Sequence, residues 1–261
     1  MAFETITLEI ADDVATVTFN RPAALNSINP PMLRDLKAAI KEIGASGARA
    51  MLLTGAGRAF CSGADLSVDR KREADGTIDL GRSIEEGFNP LVRSLRDLPI
   101  PIVAAVNGAA AGGGASLAFA CDIAIAARSA YFLQAFCNIG LIPDVGSTYF
   151  LPRRVGLARA KGLALLGERL PAEKAEAWGL IWRVVDDAEL MTEARAVATK
   201  LAKGPKSLGL IKRALDGSFA RDFDAQLDVE RDLQRLAGRS EDFFEGVAAF
   251  LQKRPAKFKG R

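Results

Sequence analysis

The sequence predicts an α/β protein whose core is a stack of strand–strand–helix units followed by a helical region. The order of two apolar strands and a helix occurs at least twice before residue 130, which favours a stacked core over a doubly wound sheet. From about residue 190 onward the apolar periodicity is helical throughout. A chain of 261 residues with 49% hydrophobic content can bury a sizeable core. We therefore expect an α/β core over residues 1–190 and a helical region over residues 191–261.

The first elements follow from simple patterns. Alternating apolar residues over 6–19 predict a β-hairpin. Asn29 is placed as the N-cap of a helix that begins with two prolines, and the helical spacing after it is expected to stop at Gly44. A strand is predicted over 50–54. The chain thus starts with two strands, a helix and a further strand.

The next elements surround a run of glycines. Residues 67–87 are polar, charged and interrupted by glycine, which predicts a mobile loop, with a helix from about Ile84 to Leu95 after it. Strands are predicted over 102–106 and 123–126. Between these two strands, three consecutive glycines open an apolar helix.

Apolar residues at helical spacing continue to the end of the chain. They form successive stripes: Leu208, Ile211 and Leu215; Phe223, Leu227 and Leu233; Phe243, Val247, Phe250 and Leu251. Helices that carry such stripes after a complete core usually bury them against another subunit or a neighbouring domain. The region 191–261 is therefore expected to mediate oligomerisation.

The charge and the composition exclude several classes of function. A net charge of +3 without a basic stripe interleaved with aromatics argues against nucleic acid. The basic run 253–261 is either a solvated tail or a phosphate contact for an anionic ligand. No segment resembles a signal peptide or a membrane span, and three widely spaced cysteines indicate neither a disulfide framework nor a metal site. A cytoplasmic protein without membrane contact is expected.

The absence of histidine restricts the chemistry further. It removes Ser-His-Asp and Cys-His arrangements and the common zinc sites. Any acid–base step must use a carboxylate, Lys, Tyr or Cys.

Two segments carry most of the functional signal, residues 59–66 and 106–117. Each is a hydrophobic strand that runs into small residues, which leave backbone N–H groups uncovered. The N-terminus of the helix after the glycines adds partial positive charge. Two such N–H donors that converge on one carbonyl oxygen would stabilise an enolate or a tetrahedral adduct.

With both segments in place, the chain resembles the enoyl-CoA hydratase/isomerase (crotonase) superfamily over essentially its whole length. The matching landmarks, in order, are Arg21-Pro22 with Leu25-Asn26, residues 60–66, Asn107-Gly108 with residues 112–114, residues 121–123, residues 140–143, and residues 245–251 with Lys253-Arg254. The resemblance implies a crotonase-like spiral core, a C-terminal trimerisation region and acyl-CoA thioesters as substrates. It implies a homotrimer or a dimer of trimers, and no cofactor beyond the coenzyme A of the substrate.

Site residues are also implied by this resemblance. The N–H groups of Ala64 and Gly113 would bind the thioester oxygen. Residues Ala64, Asp65, Leu66 and Ser67 would line the coenzyme A site, and Phe250 and Lys253 would reach the coenzyme A of a neighbouring subunit.

Two departures from the family pattern bear on the reaction. Hydratases of the family carry two glutamates at positions that here are Ser116 and Phe136. Water addition needs such a pair of carboxylates, so the chain is expected to be a poor hydratase. Isomerases of the family carry their acid at the position of Asp144, which is our candidate acid–base residue, although Pro-Asp-x-Gly is also an ordinary turn sequence. The second half of the chain resembles the isomerases of aromatic ring epoxides carried on coenzyme A, whose scaffold the aliphatic enoyl-CoA isomerases share.

Other interpretations of the same residues stay open. Ser116 is a nucleophile or, as its pattern favours, a hydrogen-bonded hydroxyl at a helix start. Cys61 and Cys137 are expected to be small packing residues, and Asp65 could cap a helix. At the level of function, the alternatives are a hydratase of fatty-acid oxidation, an aryl-CoA dehalogenase, which would need a histidine, and a non-catalytic acyl-CoA-binding or RNA-binding relative, which would lack an acid in its pocket.

Overall fold

The computed structural model describes residues 3–69 and 71–261. The strands of this part are β1 (Ile6–Ala11), β2 (Val14–Phe19), β3 (Ala50–Gly55), β4 (Ala59–Cys61), β5 (Ile102–Val106), β6 (Ala109–Ala111), β7 (Ile123–Ala127), β8 (Tyr131–Leu133), β9 (Arg169–Pro171) and β10 (Arg183–Val185). The helices are α1 (Pro30–Ser46), α2 (Leu80–Ser83), α3 (Asn89–Asp97), α4 (Gly113–Ala120), α5 (Ser147–Leu166), α6 (Ala172–Ala177), α7 (Leu190–Ala202), α8 (Ser207–Asp216), α9 (Phe223–Ala237) and α10 (Glu241–Leu251).

The strands form two sheets, and from β3 to β8 consecutive strands alternate between them. The large sheet has the order β1-β2-β3-β5-β7-β10 and the small one β4-β6-β8-β9. The strand pairs β3/β4, β5/β6 and β7/β8 each give their first strand to the large sheet and their second to the small one. Neighbouring strands are parallel except at the β1/β2 and β8/β9 pairs. This confirms the predicted stack of strand–strand–helix units.

The first elements confirm the predicted hairpin and N-cap and correct one helix end. The Asn29 side chain accepts a hydrogen bond from Met32 N, as an N-cap does. Helix α1 continues through Gly44 and ends before Gly47, whose φ is +82°. The expected stop at Gly44 is wrong because Gly44 stays helical, and the left-handed backbone that ends the helix lies at Gly47 instead.

Part of the segment that was predicted as a loop is helical. Helix α2 starts at Leu80, and a π-helical turn, Ile84–Phe88, joins it directly to α3. The expected loop over 67–87 is therefore wrong from Leu80 onward, whereas the helix predicted from about Ile84 to Leu95 is confirmed and continues to Asp97. Arg70, which falls in the same segment, lies outside the described residues.

The helices after residue 190 differ in how they contact the core. Helix α7 packs against β3, β5 and β7, with Ala194, Ala198 and Ala202 fully buried. Helix α8 is held by Lys212, whose Nζ lies 3.0 Å from Asp122 Oδ2 and also donates to the carbonyl oxygens of Leu95 and Ile100. The division of the chain at residue 190 stays a prediction.

The basic C-terminal run is a fixed part of the fold. The buried Asp242 carboxylate accepts hydrogen bonds from the backbone N–H groups of Lys206, Lys259 and Gly260. Arg254 forms a bidentate ion pair with Glu245. A purely solvated tail is therefore wrong, because the backbone of this run is tied to α10. No helix among the described residues is long and apolar enough to cross a membrane.

Candidate active site

The two segments that carry the predicted N–H donors lie side by side at one edge of the small sheet. Strands β4 and β6 pair in parallel, with Cys61 opposite Ala110, so their carboxyl ends emerge together. A Cβ on Gly63 would lie 2.9 Å from Ala111 O and 3.3 Å from Gly113 N. A Cβ on Gly114 would lie only 2.2 Å from Cys61 O. Glycine is needed at both positions for the two backbones to approach this closely.

The N–H groups of Ala64 and Gly113 are free for a ligand. An isolated bridge from Ile28 uses Gly63 O and Asp65 N, which leaves the N–H of Ala64 out of the ladder. Gly113 opens α4, where first-turn N–H groups have no partner in the helix. Within residues 3–69 and 71–261 neither N–H donates a hydrogen bond. Both groups line the same cavity.

That cavity has a volume of about 560 Å³ and predominantly apolar walls. Ala64 and Gly113 lie on its wall together with Asp144, which is the only ionisable group among the described lining residues. The apolar side chains around them include Leu66, Ile78, Ile84, Phe88, Phe136 and Leu141. The structure therefore brings the three central predicted residues to one place.

Asp144 lies in the loop before α5, and its carboxyl group is half-buried. Burial raises the pKa of this carboxyl to about 6, and a hydrogen bond from its own backbone N–H opposes the rise. Glu85 and Glu86, on the π-helical turn that borders the cavity, are exposed. A carboxyl in this setting is a stronger base than an exposed aspartate.

Ser116 and Phe136 are the two residues that the resemblance places where hydratases carry glutamate. Ser116 is fully buried, and its Oγ lies 3.1 Å from the carbonyl oxygens of both Gly112 and Asp144 and 2.7 Å from Ser147 Oγ. Of the two interpretations of Ser116, this confirms the hydrogen-bonded hydroxyl at a helix start and not the nucleophile. Phe136 lines the cavity and is 8% exposed.

The residues after Ala64 form a turn held by Asp65. Its carboxylate accepts hydrogen bonds from Ser67 N and Ser67 Oγ. It also forms an ion pair with Arg21. The Ser67 hydroxyl is the main cause that lowers the pKa of Asp65 to about 2, with Arg21 as a further cause. The expected helix cap at Asp65 is wrong, because no helix begins here. Leu66 and Ser67 are exposed, and Leu66 borders the cavity.

Phe250 and Lys253 are not on the wall of this cavity. Phe250, in the last turn of α10, is 83% exposed. Lys253 follows the helix with φ +52° and is also exposed. The structure thus leaves both side chains on the outer surface of their own chain.

Cys61 and Cys121 are not activated. Burial raises the pKa of the Cys61 and Cys121 thiols to about 12, so neither is a thiolate near neutral pH. Cys137 lies half-buried beside Asn138.

Two features of the site were not predicted. Leu80, Ile84 and Phe88 line one wall of the cavity, and the four-residue spacing that joins Leu80 to the helix predicted from Ile84 was a usable signal. Val145 has φ +53° although its side chain is β-branched, a backbone conformation that such residues rarely adopt. No pattern in the sequence indicates the latter.

Comparisons with known proteins identify the family of the chain. The family model described as enoyl-CoA hydratase/isomerase matches residues 9–261. The chain is 52% identical to the Escherichia coli protein named 1,2-epoxyphenylacetyl-CoA isomerase, over 99% of each chain. It is 46% identical to a Rhodobacter capsulatus protein named "Probable enoyl-CoA hydratase", over 100% of each. The structure of enoyl-CoA hydratase from Bacillus anthracis has a TM-score of 0.91 at 33% identity and covers 99% of this chain and 100% of its own. The chain therefore belongs to the enoyl-CoA hydratase/isomerase family.

Proposed function

We propose that the protein is an acyl-CoA isomerase that works through a thioester enolate. The observation that carries this proposal is the convergence of Ala64, Gly113 and Asp144 on one apolar cavity. The two free N–H groups bind the thioester oxygen, and the carboxylate moves a proton along the acyl chain.

The reaction with a 3-enoyl thioester balances with one acid–base residue. Ionised Asp144 removes a proton from C2, and the electron pair moves onto the thioester oxygen as a dienolate. The N–H groups of Ala64 and Gly113 stabilise that charge, by about 3–4 kcal/mol for each donor. Asp144 then returns the proton to C4, which leaves the double bond between C2 and C3. No water is consumed and no resident cofactor takes part.

The ionisation of Asp144 suits this role. With a pKa of about 6, the carboxyl is mostly ionised at neutral pH. It is still more basic than an ordinary aspartate, and a base whose pKa lies near the working pH is the most effective. The apolar lining of the cavity desolvates the carboxylate and so raises its pKa. The pKa stays below 7, and the carboxylate therefore remains mostly ionised at neutral pH.

Hydration is disfavoured by the same wall. The Ser116 hydroxyl is fully buried and Phe136 presents an apolar ring, so the described lining offers no second carboxylate to activate water. Because some relatives are named as hydratases, hydration is the alternative reaction that a test of the isomerase proposal must measure.

For the acyl group we infer the ring epoxide of phenylacetyl-CoA, with 3-enoyl-CoA as a second substrate of the same groups. The support is the name of the Escherichia coli relative together with the cavity walls. The rings of Phe88 and Phe136 border a space of about 560 Å³ in which a flat apolar ring can pack.

Coenzyme A binding extends beyond one chain in this proposal. The turn Ala64, Asp65, Leu66 and Ser67 contacts the coenzyme A moiety on one side. Phe250 and Lys253 of a neighbouring subunit complete the site, in a homotrimer or a dimer of trimers. Support comes from the exposure of both side chains, because neither can act in its own chain's cavity.

A product assay with three substrates tests the proposal. The purified protein is incubated separately with 3-hexenoyl-CoA, crotonyl-CoA and 1,2-epoxyphenylacetyl-CoA, and products are resolved by chromatography with mass detection. We expect the first and third to be isomerised without change of mass. Crotonyl-CoA should gain the mass of water slowly or not at all. Hydration faster than about 100 s⁻¹, a rate typical of good enzymes, would overturn the single-carboxylate mechanism.

A further inference from the structure

The peptide group between Gly112 and Gly113 has two ends that matter for the site. Its N–H is the proposed donor at Gly113. Its carbonyl oxygen accepts hydrogen bonds from both Ser116 N and Ser116 Oγ, each at 3.1 Å. A peptide carbonyl that accepts hydrogen bonds polarises its own N–H and makes it a stronger donor. Ser116 therefore polarises the Gly113 N–H through the carbonyl end of the same peptide group, and it does not line the cavity itself.

The same hydroxyl reaches the loop that carries Asp144. Ser116 Oγ lies 3.1 Å from Asp144 O, and Ser147 N donates to that oxygen at 3.0 Å. When the Ser147 hydroxyl donates to Ser116 Oγ, the single Ser116 hydroxyl hydrogen is shared between the two carbonyl oxygens, each of which also accepts a backbone N–H. One buried side chain thus joins the first turn of α4 to the backbone of Asp144.

A strained residue makes a second link between the same two segments. Val145 has φ +53°, is 2% exposed, and its Cγ2 would be 3.4 Å from a Cβ on Gly113. Such a backbone conformation persists only where the surroundings fix it. Here the turn bond from Ser147 N to Asp144 O, which spans Val145, and the burial of the Val145 side chain fix it.

We propose that Ser116 is a positioning residue, whose buried hydroxyl holds the Asp144 carboxyl and the Gly113 N–H in a fixed relation to each other. This proposal rests on the proposed function, since it concerns the same two groups. It also gives the position a role of its own: where hydratases carry a carboxylate that faces substrate, this chain carries a tether that faces away from it.

The test uses the full protein with paired variants. Ser116→Ala removes the tether, and Ser116→Thr restores a hydroxyl. Thr54→Val is the matched control, because Thr54 is also a buried residue whose hydroxyl donates to a carbonyl, that of Ala105 at 2.9 Å, and it does not line the cavity. Turnover of 3-hexenoyl-CoA is measured from about pH 5 to about pH 8. The pKa of Asp144 is measured without substrate by ¹³C carboxyl NMR, with Asp144→Asn to assign the signal.

We expect Ser116→Ala to lower kcat about tenfold or more while KM changes less than about twofold, because the reacting groups are misplaced but acyl-CoA contacts stay. The freed carboxyl gains water, so its pKa should fall from about 6 toward its ordinary value of 3.8. Ser116→Thr should keep at least half of kcat. Thr54→Val should lower stability and leave kcat and the pKa unchanged.

Two results would overturn the proposal. One is a Ser116→Ala variant with unchanged kcat and pKa. The other is a loss of kcat with the pKa still at about 6, which would mark a structural role only. If Ser116→Ala does not fold, Ser147→Ala is judged by the same two readouts. A wild-type protein that does not isomerise 3-hexenoyl-CoA would refute the proposed function for that substrate, whereas the NMR titration would still decide whether Ser116 holds Asp144.

Discussion

The segment from β3 to the start of α5 and the helices after α7 use apolar residues in opposite ways. In the first, β3, β5 and α4 are buried along their whole length, and the small residues at the strand ends expose backbone rather than side chains. In the second, Phe223, Phe243 and Phe250 are 76%, 48% and 83% exposed. The first region completes a cavity within one chain, while the second presents a surface.

This difference indicates how the proposed reaction and the proposed substrate binding are divided. Proton transfer and charge stabilisation need groups held at fixed distances, and a buried backbone provides them. Binding of a long, flexible coenzyme A needs a large protein contact surface, and a neighbouring chain can contribute part of it. If the two regions divide the work in this way, substitutions in the first should change turnover, and substitutions in the second should change binding and assembly.

Asp144→Asn should have the largest effect. It keeps the shape of the side chain and removes its basicity, so turnover should fall by about 10²-fold or more. Acyl-CoA affinity, measured by calorimetry on the same preparation, should stay within about twofold because the N–H donors belong to the backbone. Normal isomerisation by this variant would refute the mechanism, and a joint loss of affinity and turnover would make Asp144 a turn residue.

Ser116→Glu combined with Phe136→Glu should not create a hydratase. The glutamate at position 116 would meet the fully buried environment that now holds the Asp144 loop. An unpaired buried charge should cost about 3 kcal/mol of unfolding free energy or more, measured by urea denaturation. Ala45→Glu, at an exposed position of α1, is the control and should change little. Rapid hydration of crotonyl-CoA by the double variant would contradict the tethered arrangement.

Phe250→Asp should affect binding and assembly but not chemistry. If α10 lies between subunits, a charge there should dissociate the oligomer and raise KM for acyl-CoA about tenfold, with a smaller change in kcat. Light scattering and steady-state kinetics measure both. Ile10→Asp, on an exposed position of β1, is the comparison. A wild-type protein that is a monodisperse monomer at micromolar concentration would contradict the division of roles.

The smallest effect concerns stability. The folded state raises the pKa of Asp144, so it binds this proton more tightly than the unfolded chain does. That contribution is complete below pH 3.8 and is lost as the pH rises through about 6. At neutral pH Asp144→Asn should therefore be more stable than wild type, by about 1–2 kcal/mol after allowance for partial solvent exposure. Urea denaturation at low and neutral pH measures the difference, and equal stabilities at neutral pH would contradict the raised pKa.

The sequence predicted the elements whose signals are local. The Asn29 cap, the hairpin and the strands that run into Gly63 and Gly112 each depend on a few neighbouring residues, and the structure confirms them. The grouping of Ala64, Gly113 and Asp144 came from the family resemblance rather than from any local pattern. Their convergence on one cavity is in the structure, and their roles stay proposals.

Three features were predicted wrongly or not at all. Gly44 looked like a helix stop, but a glycine can remain helical, and α1 ends at Gly47 instead. Leu80 was assigned to a loop although its spacing to Ile84 and Phe88 is helical, and no local pattern reveals the cavity that these side chains line. The left-handed backbone of Val145 opposes the preference of its own side chain and follows from the turn that Ser147 N closes onto Asp144 O.

The pairing of Lys212 with Asp122 bears on how the chain reaches this structure. The Lys212 side chain is buried between α8 and the core, whereas the Asp122 carboxylate that it pairs with keeps 22% of its side-chain surface exposed. A helix that docks one turn out of place would bury the Lys212 ammonium without its carboxylate, at a cost of several kcal/mol. Misaligned intermediates are therefore poorly populated during refolding, and α8 is expected to join the core in a single cooperative step.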